Sequence, residues 1–192
     1  CHTCAVACKS ENNLPDGVWW NRVITVGGDQ MDTPSGEFPN VMMDFMTMAC
    51  QHCENPACVP VCPTGATFKR DEDGIVLIDY DKCIGCGACI QACPYEGVRT
   101  RNAEAISYAT GFQVGDFDVQ QQQPQTVSKC TFCVQRVDRG ELPACIEVCP
   151  TRARFFGDLN DPESDASQAI EGRETFKLRE DKGTDPNVVF LK

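Results

Sequence analysis

The chain has 192 residues and a formal net charge of −11 at pH 7, and its length allows one large domain or two small ones. The excess of negative charge opposes contact with phosphate backbones, which argues against nucleic acid as a partner. No apolar run approaches the ~18 residues that a bilayer-spanning helix needs, so we expect any membrane association to depend on another subunit.

Cysteine is the residue type that most distinguishes this composition. Fifteen cysteines fall into four groups of similar spacing along the chain. A disulfide-rich secreted domain is one interpretation, but an odd count does not close a disulfide framework, and disulfide pairing does not require repeated spacing. The grouping therefore favours metal binding.

The first group consists of Cys1, Cys4 and Cys8. Its spacing is that of the last three cysteines in a C-x2-C-x2-C-x3-C run, so we expect another cysteine three residues before Cys1 and a total of sixteen ligands. Lys9 stands where the other groups have proline. It is either a solvated cation or one that favours the reduced state of a nearby metal centre.

Two strands are predicted between the first and second groups. The β-branched run at 22–26 predicts a strand ended by a Gly-Gly turn. Trp19 and Trp20 precede it, and core packing is favoured over a docking surface for both. Segment 41–48 predicts a strand with one buried face, its methionines packing in the core rather than binding metal.

The second group consists of Cys50, Cys53, Cys58 and Cys62, followed by proline. His52 lies inside it, but four cysteines already satisfy the run, so we expect a solvated or hydrogen-bonded histidine rather than a ligand. Downstream, segments 66–69 and 75–78 flank Asp73-Gly74, which predicts a β-hairpin.

The third group reads C-x2-C-x2-C-x3-C-P and consists of Cys83, Cys86, Cys89 and Cys93. Bacterial-type ferredoxins hold cubane iron–sulfur clusters with this run: three thiolates bind one cube, and the fourth binds a neighbouring cluster. Gly85 and Gly87 suit the tight path because glycine readily adopts positive φ. Zinc is the alternative, but structural zinc usually takes its four ligands as two separated pairs.

The fourth group consists of Cys130, Cys133, Cys145 and Cys149, followed by proline. Before it, the Gly-, Asp- and Gln-rich segment 103–126 is typical of an exposed linker loop. Within the wide gap of the group, segment 134–139 is predicted to be helical for a turn or two.

The last part of the chain has no ligand-type cluster. We predict a short strand at 154–157, a helix that begins at Asp161 and runs to about residue 170, and a final strand at 188–191. The tail 158–192 is expected to wrap a partner or the chain's own surface.

The order of the groups predicts an α+β fold built from two nested bacterial-ferredoxin-like modules with loop insertions and a C-terminal wrapping tail. Groups two and three would form an inserted module at 41–102. Groups one and four would close a second module from 1–40 and 127–157 around it. Segment 103–126 would link them.

With these motifs the chain resembles the four-cluster iron–sulfur subunits of molybdenum or tungsten bis-pterin oxidoreductases of the DMSO-reductase type. The resemblance is carried by ACK at 7–9, CxHCExPACVxVCPTGA at 50–66, CIGCGACIxACPY at 83–95, KCTFCxxRxxxGxxPACxxxCPxxA at 129–153 and GDLxDPxS at 157–164. The last two segments are most similar to the small subunits of respiratory arsenate reductases, polysulfide or thiosulfate reductases and catechol dehydroxylases. In nitrate-reductase-like relatives the third cysteine of run three is replaced. Here it is Cys89, which implies four complete [4Fe-4S] clusters.

The resemblance also implies how the ligands are shared. The implied sets are Cys1, Cys4 and Cys149 with the expected preceding cysteine; Cys130, Cys133 and Cys145 with Cys8; Cys50, Cys53 and Cys58 with Cys93; and Cys83, Cys86 and Cys89 with Cys62.

An electron-transfer role without catalysis is what the resemblance implies, and no nucleophile or acid–base pair accompanies the cysteines. The implied partners are a large molybdopterin catalytic subunit at the first cluster and an integral-membrane quinol-side anchor at the last. The complex would be soluble or peripheral to the membrane through its partners, with the outer face favoured. A free-standing polyferredoxin and a zinc-binding interaction module are the alternatives.

Overall fold

The computed structural model describes residues 1–192, in which short helices and strands are joined by long irregular segments. The helices are α1 (Thr3–Glu11), α2 (Ala88–Gln91), α3 (Val134–Val137), α4 (Ala144–Glu147) and α5 (Asp165–Ile170), with a 3-10 turn at Glu180–Lys182. The strands are β1 (Arg22–Val26), β2 (Ser35–Glu37), β3 (Asn40–Met42), β4 (Asp44–Met48), β5 (Thr67–Lys69), β6 (Val76–Ile78), β7 (Arg99–Arg101), β8 (Val127–Lys129), β9 (Thr175–Phe176) and β10 (Phe190–Leu191). They form five two-stranded antiparallel sheets, so the mixed helix–strand class is confirmed. None of the helices has the length and apolar character needed to cross a membrane.

The strand predicted at 22–26 is confirmed as β1, which pairs with β4. The strand predicted at 41–48 is divided, because β3 turns back onto β2 whereas β4 pairs with β1. The side chains of this arm are largely exposed: Phe38 is 91 % exposed and Met42 is 64 % exposed. The expectation of a buried face with core methionines is therefore wrong for this arm.

The hairpin predicted around Asp73-Gly74 is confirmed as β5 and β6. Gly74 has a φ of +71°, and the Asp73 carboxylate accepts a hydrogen bond from the Ile75 amide at 3.0 Å. A second pairing, β7 with β8, joins chain segments on either side of the 103–126 loop. This ladder sets the residues after the third cysteine group beside those that open the fourth.

The C-terminal segment differs in detail from its prediction. Residues 154–157 form no strand. Helix α5 begins four residues later than predicted, because the Ser164 hydroxyl caps it by accepting a hydrogen bond from the Ser167 amide at 3.2 Å. The tail packs on the chain's own surface beside the second cysteine group, where the Glu54 amide donates to the Asp185 carbonyl at 2.7 Å.

The apolar core is small and divided. Only 40 of the 192 residues are buried. The buried apolar residues form separate clusters of six, four and three members, and each cluster contains at least one cysteine. Packing is thus organised around thiols rather than around one continuous hydrophobic interior.

A buried chain of hydrogen bonds links the loop 103–126 to this core. Trp20 is 3 % exposed, which confirms its core role, and its indole N–H donates to Ser128 Oγ at 3.2 Å. Ser128 in turn donates to Asn102 Oδ1 at 3.1 Å. Asn102 also donates to the side-chain oxygen of Gln122 at 3.3 Å, so the loop is anchored although it has no regular secondary structure.

Replacing Ser128 by alanine is expected to lower stability without removing apolar contacts. The change leaves the Trp20 indole N–H and the Asn102 carbonyl buried and unpartnered, which costs about 1–3 kcal/mol. Thermal unfolding of the holoprotein, followed by circular dichroism, measures the effect. Ser107→Ala is the matched control, because it removes an exposed hydroxyl that donates to Asp16 at 2.9 Å. Equal melting temperatures for the two variants would contradict the prediction.

Candidate iron–sulfur sites

All fifteen cysteines are free thiols, and seven of them are buried. The cysteine content is therefore not explained by a disulfide framework. Thiols become metal ligands once they are deprotonated, and buried thiols resist deprotonation unless a cation or a metal is near. The surroundings of each group thus decide what it can bind.

Three of the cysteine loops share one backbone feature. The residue before the second cysteine has positive φ in each: +42° at His52, +63° at Gly85 and +57° at Phe132. A Cβ on Gly85 would overlap the Gln125 carbonyl oxygen, so glycine alone fits there. With Gly87 at +78°, the conformation predicted for the two glycines is confirmed. Left-handed backbone at non-glycine residues is strained, and such strain is concentrated at functional sites.

Four thiols from two different groups line one cavity, namely Cys50, Cys53, Cys58 and Cys93. Burial raises the pKa of Cys93, and the neighbouring charges of Cys50 and Cys53 raise it further. Tyr95 and Thr184, whose hydroxyls are 2.8 Å apart, close the cavity on the side of the C-terminal tail. The structure therefore places the last cysteine of the third group with the first three of the second.

Arg99 provides a buried positive charge at this cavity. It is 5 % exposed, and its Nη2 donates to the sulfur of Cys58 at 2.8 Å. Burial raises the pKa of Cys58 to about 11, although the Arg99 charge acts in the opposite direction. A charge-assisted hydrogen bond of this kind stabilises the thiolate, which is the form that binds iron.

A second set of thiols forms where α1 packs against α4. Burial raises the pKa of Cys8, and the charges of three neighbours raise it further; these are Cys130, Cys133 and Cys145. Asn12 is buried beside them, with its amide nitrogen 3.6 Å from Cys133 Sγ and 3.8 Å from Cys8 Sγ. The first group thus contributes its last cysteine to the first three of the fourth.

The other two sets are less closely connected. The contacts of Cys62 are local: burial tends to raise its pKa, but hydrogen bonds led by the Thr67 amide lower it to about 7. Its partnership with the first three cysteines of group three stays a prediction. The same holds for Cys149 with Cys1 and Cys4, where the hydroxyl of Thr151 lies 3.6 Å from Cys149 Sγ.

Unpartnered buried donors test whether these sites fit a cluster. His52 Nε2, two nitrogens of Arg99 and Arg154 Nη1 are buried without a hydrogen-bond partner. Such orphans are rare, and each one beside a thiol has an acceptor once sulfide is present. No three or more His, Cys, Asp or Glu side chains converge on a single-ion position. Thiols around a cube bind different irons and stand farther apart than zinc ligands at about 2.3 Å from one ion. The residues therefore fit iron–sulfur clusters and do not fit zinc.

His52 and Lys9 both have structural contacts. His52 is 1 % exposed, and its Nδ1 accepts a hydrogen bond from the Val76 amide at 3.1 Å, so the hydrogen-bonded interpretation is confirmed and the solvated one is wrong. Lys9 Nζ donates to the carbonyl oxygen of Pro15 at 2.7 Å and lies 4.8 Å from the ring of Trp19. Trp19 is 38 % exposed, so its predicted core role is wrong.

Four residues at these sites are not predictable from spacing: Asn12, Arg99, Lys129 and Arg154. Lys129 belongs to one of the sequence motifs, where it directly precedes Cys130. It is 1 % exposed, and its ammonium donates to the carbonyl oxygens of Val76 and Cys130. A single cation or amide carries no spacing pattern, so adjacency to a cysteine was the one available signal.

Comparison with known proteins agrees with this geometry. A family model described as a 4Fe-4S dicluster domain matches residues 41–112 and 116–159. The iron–sulfur subunit of a putative dimethyl sulfoxide reductase from Halobacterium salinarum is 47 % identical over 100 % of this chain and 74 % of the relative. A selenate reductase subunit from Mesobacillus selenatarsenatis is 42 % identical over 100 % of this chain and 67 % of the relative. The arsenate respiratory reductase iron–sulfur subunit from Shewanella sp. is 36 % identical over 100 % of this chain and 91 % of the relative.

The family match covers more than half of the chain, and the relatives are similar over its whole length. These relatives are iron–sulfur subunits of reductase complexes and are not catalytic alone. The chain therefore belongs to the 4Fe-4S dicluster family and, within it, to the iron–sulfur electron-transfer subunits of DMSO-reductase-type oxidoreductases.

Proposed function

We propose that the chain relays electrons through four [4Fe-4S] clusters between a large molybdopterin catalytic subunit and a quinol-side redox partner. The observation that carries the proposal is the cavity shared by the second and third groups, which Cys93 enters from the third. Exchange of the last cysteine between two runs is the arrangement of two-cluster ferredoxins, where the close approach of clusters allows electrons to pass.

The proposed ligand sets follow the same exchange throughout. They are Cys1, Cys4 and Cys149 for site one; Cys130, Cys133, Cys145 and Cys8 for site two; Cys50, Cys53, Cys58 and Cys93 for site three; and Cys83, Cys86, Cys89 and Cys62 for site four. Sites three and four make the inserted module at 41–102, and sites one and two make the surrounding module from 1–40 and 127–157. The family match at 41–112, which contains both inner groups, supports this nesting.

The clusters supply one-electron chemistry, and the chain supplies their surroundings. Arg99 holds the Cys58 thiolate, while Tyr95 and Thr184 close site three against water. The linker 103–126 and the tail 158–192 hold the modules in place through contacts such as that between the Asn187 amide nitrogen and the His52 carbonyl oxygen, 2.8 Å apart.

Relatives that are named as subunits of selenate and arsenate reductases support a catalytic partner. In this arrangement site one faces the molybdopterin (Mo or W) subunit. Site four faces an integral-membrane anchor that exchanges electrons with quinol. The complex is then peripheral to the membrane through its partners, at its outer face.

Iron analysis of the full-length protein, purified without oxygen, tests the proposed function. We expect about sixteen irons per chain, four for each cluster, with a matching amount of acid-labile sulfide and a brown colour. About four irons with zinc present would contradict the proposal. Purification from the native source separates the two redox interpretations: elution with a large pterin-containing subunit supports a relay subunit, whereas elution alone indicates a free-standing polyferredoxin.

A further inference from the structure

Three cations lie deep among the cysteines, and none of them belongs to the ligand sets. They are Arg99, Lys129 and Arg154. Arg99 and Lys129 are 5 % and 1 % exposed, and they face each other directly across the β7–β8 ladder. Like charges directly opposite on a sheet are destabilising, and burial removes the solvent that would screen them. Something negative must therefore surround this pair.

The negative neighbours are thiols from different sites. The charged groups around Lys129 are Cys50, Arg99, Cys130 and Cys58, and no carboxylate is among them. In the proposed assignment Cys50 and Cys58 belong to site three and Cys130 to site two. Lys129 Nζ also donates to the Cys130 carbonyl oxygen at 2.9 Å, which fixes the ammonium at that boundary.

The other two cations have the same relation to the remaining boundaries. Arg99 is surrounded by Cys58, Cys50 and Cys93 of site three and by Cys89 of site four. Arg154 is surrounded by Cys145 and Cys130 of site two and by Cys4 of site one. Each also has a buried nitrogen without a partner.

From this placement we infer that each of the three boundaries between successive clusters holds one buried cation, and that these cations raise the reduction potentials of the clusters on both sides. The inference rests on the proposed ligand sets. In each transfer one electron leaves one cluster and enters the next, and no bond is made or broken. A fixed positive charge between the two stabilises the added electron on either side, and a low-dielectric site screens it little.

Lys129→Met tests the inference in the holoprotein, because methionine keeps most of the length of the side chain and removes the charge. We expect the midpoint potentials of two of the four clusters to fall. The reduced-to-oxidised ratio of each should change at least tenfold at fixed ambient potential, about 59 mV for a one-electron couple. Redox titration followed by electron paramagnetic resonance measures this. Lys129→Arg keeps the charge and should leave both potentials near those of the parent.

Lys82→Met is the matched control, because Lys82 precedes Cys83 just as Lys129 precedes Cys130. Its side chain is 64 % exposed and pairs with Asp79 at 2.7 Å, so solvent screens its charge and no couple should move comparably. If Lys129→Met does not assemble, Arg154→Gln tests the boundary of sites one and two in the same way. Four clusters with unshifted potentials, or equal shifts in the Lys82 variant, would overturn the inference alone. A parent protein without four clusters would overturn the proposed function first.

Discussion

Removing iron from the holoprotein with a chelator is expected to unfold the chain rather than leave a folded, empty scaffold. Only 40 of the 192 residues are buried, and cysteines are members of all three apolar clusters. Where no preformed core exists, metal binding energy is folding energy: about 10–16 kcal/mol for structural zinc in zinc-finger peptides. That is as large as the whole unfolding free energy of a typical domain, about 5–15 kcal/mol.

Buried charge adds to this effect. Without clusters, Arg99 and Lys129 remain side by side in the interior with thiols that burial keeps protonated. An uncompensated buried charge costs several kcal/mol, so the iron-free chain relieves this cost by exposing both residues to water.

Circular dichroism and limited proteolysis of the iron-free chain measure the outcome. We expect no cooperative thermal transition and rapid cleavage throughout the chain. Adding iron and sulfide together should restore both the transition and protection, whereas zinc at the same concentration should restore neither. A cooperative melt of the iron-free protein at the temperature of the holoprotein would contradict the prediction.

Local features of the fold were predictable from the sequence. The strand at Arg22–Val26 and the hairpin at Asp73-Gly74 follow from β-branched runs and from one turn dipeptide, and both lie within a few residues of their signal. The divided strand at 41–48 was not predictable, because its two halves pair with different strands at a distance. Helix α5 begins at Asp165 because the Ser164 hydroxyl, rather than Asp161, caps its first turn.

The candidate site divides in the same way. The cysteine ligands were identifiable because their spacing repeats, but Arg99 and Lys129 are isolated cations at the ends of two short strands. Only the register of β7 with β8, across a 25-residue interval from 102 to 126, brings them together. Contacts of that kind have no counterpart in spacing or composition.

The ligand exchange between groups is the second prediction with a large expected effect, and Cys89 and Cys93 test it from within one run. They are four residues apart, at and just after α2. If each run binds its own cluster, serine at either position should damage the same cluster. If the last cysteines are exchanged, Cys93→Ser should damage site three and Cys89→Ser should damage site four.

Cys62 completes the test, because it is the last cysteine of the second run and is followed by Pro63 as Cys93 is followed by Pro94. Under exchange, Cys62→Ser should reproduce the spectrum of Cys89→Ser and not that of Cys58→Ser. Serine oxygen is a harder ligand than thiolate, so the altered site should lose one iron and take a [3Fe-4S] form or a shifted potential.

Double variants make the distinction quantitative. Cys62→Ser combined with Cys89→Ser removes two ligands from one proposed site, so three clusters should persist. Cys89→Ser combined with Cys93→Ser alters two sites, so only two clusters should remain unaltered. Iron analysis and electron paramagnetic resonance count them. The reverse pattern, with two unaltered clusters in the first double variant and three in the second, would mean that each run keeps its own fourth cysteine. The cavity shared by Cys58 and Cys93 favours exchange, because it already joins the two runs before any iron is considered.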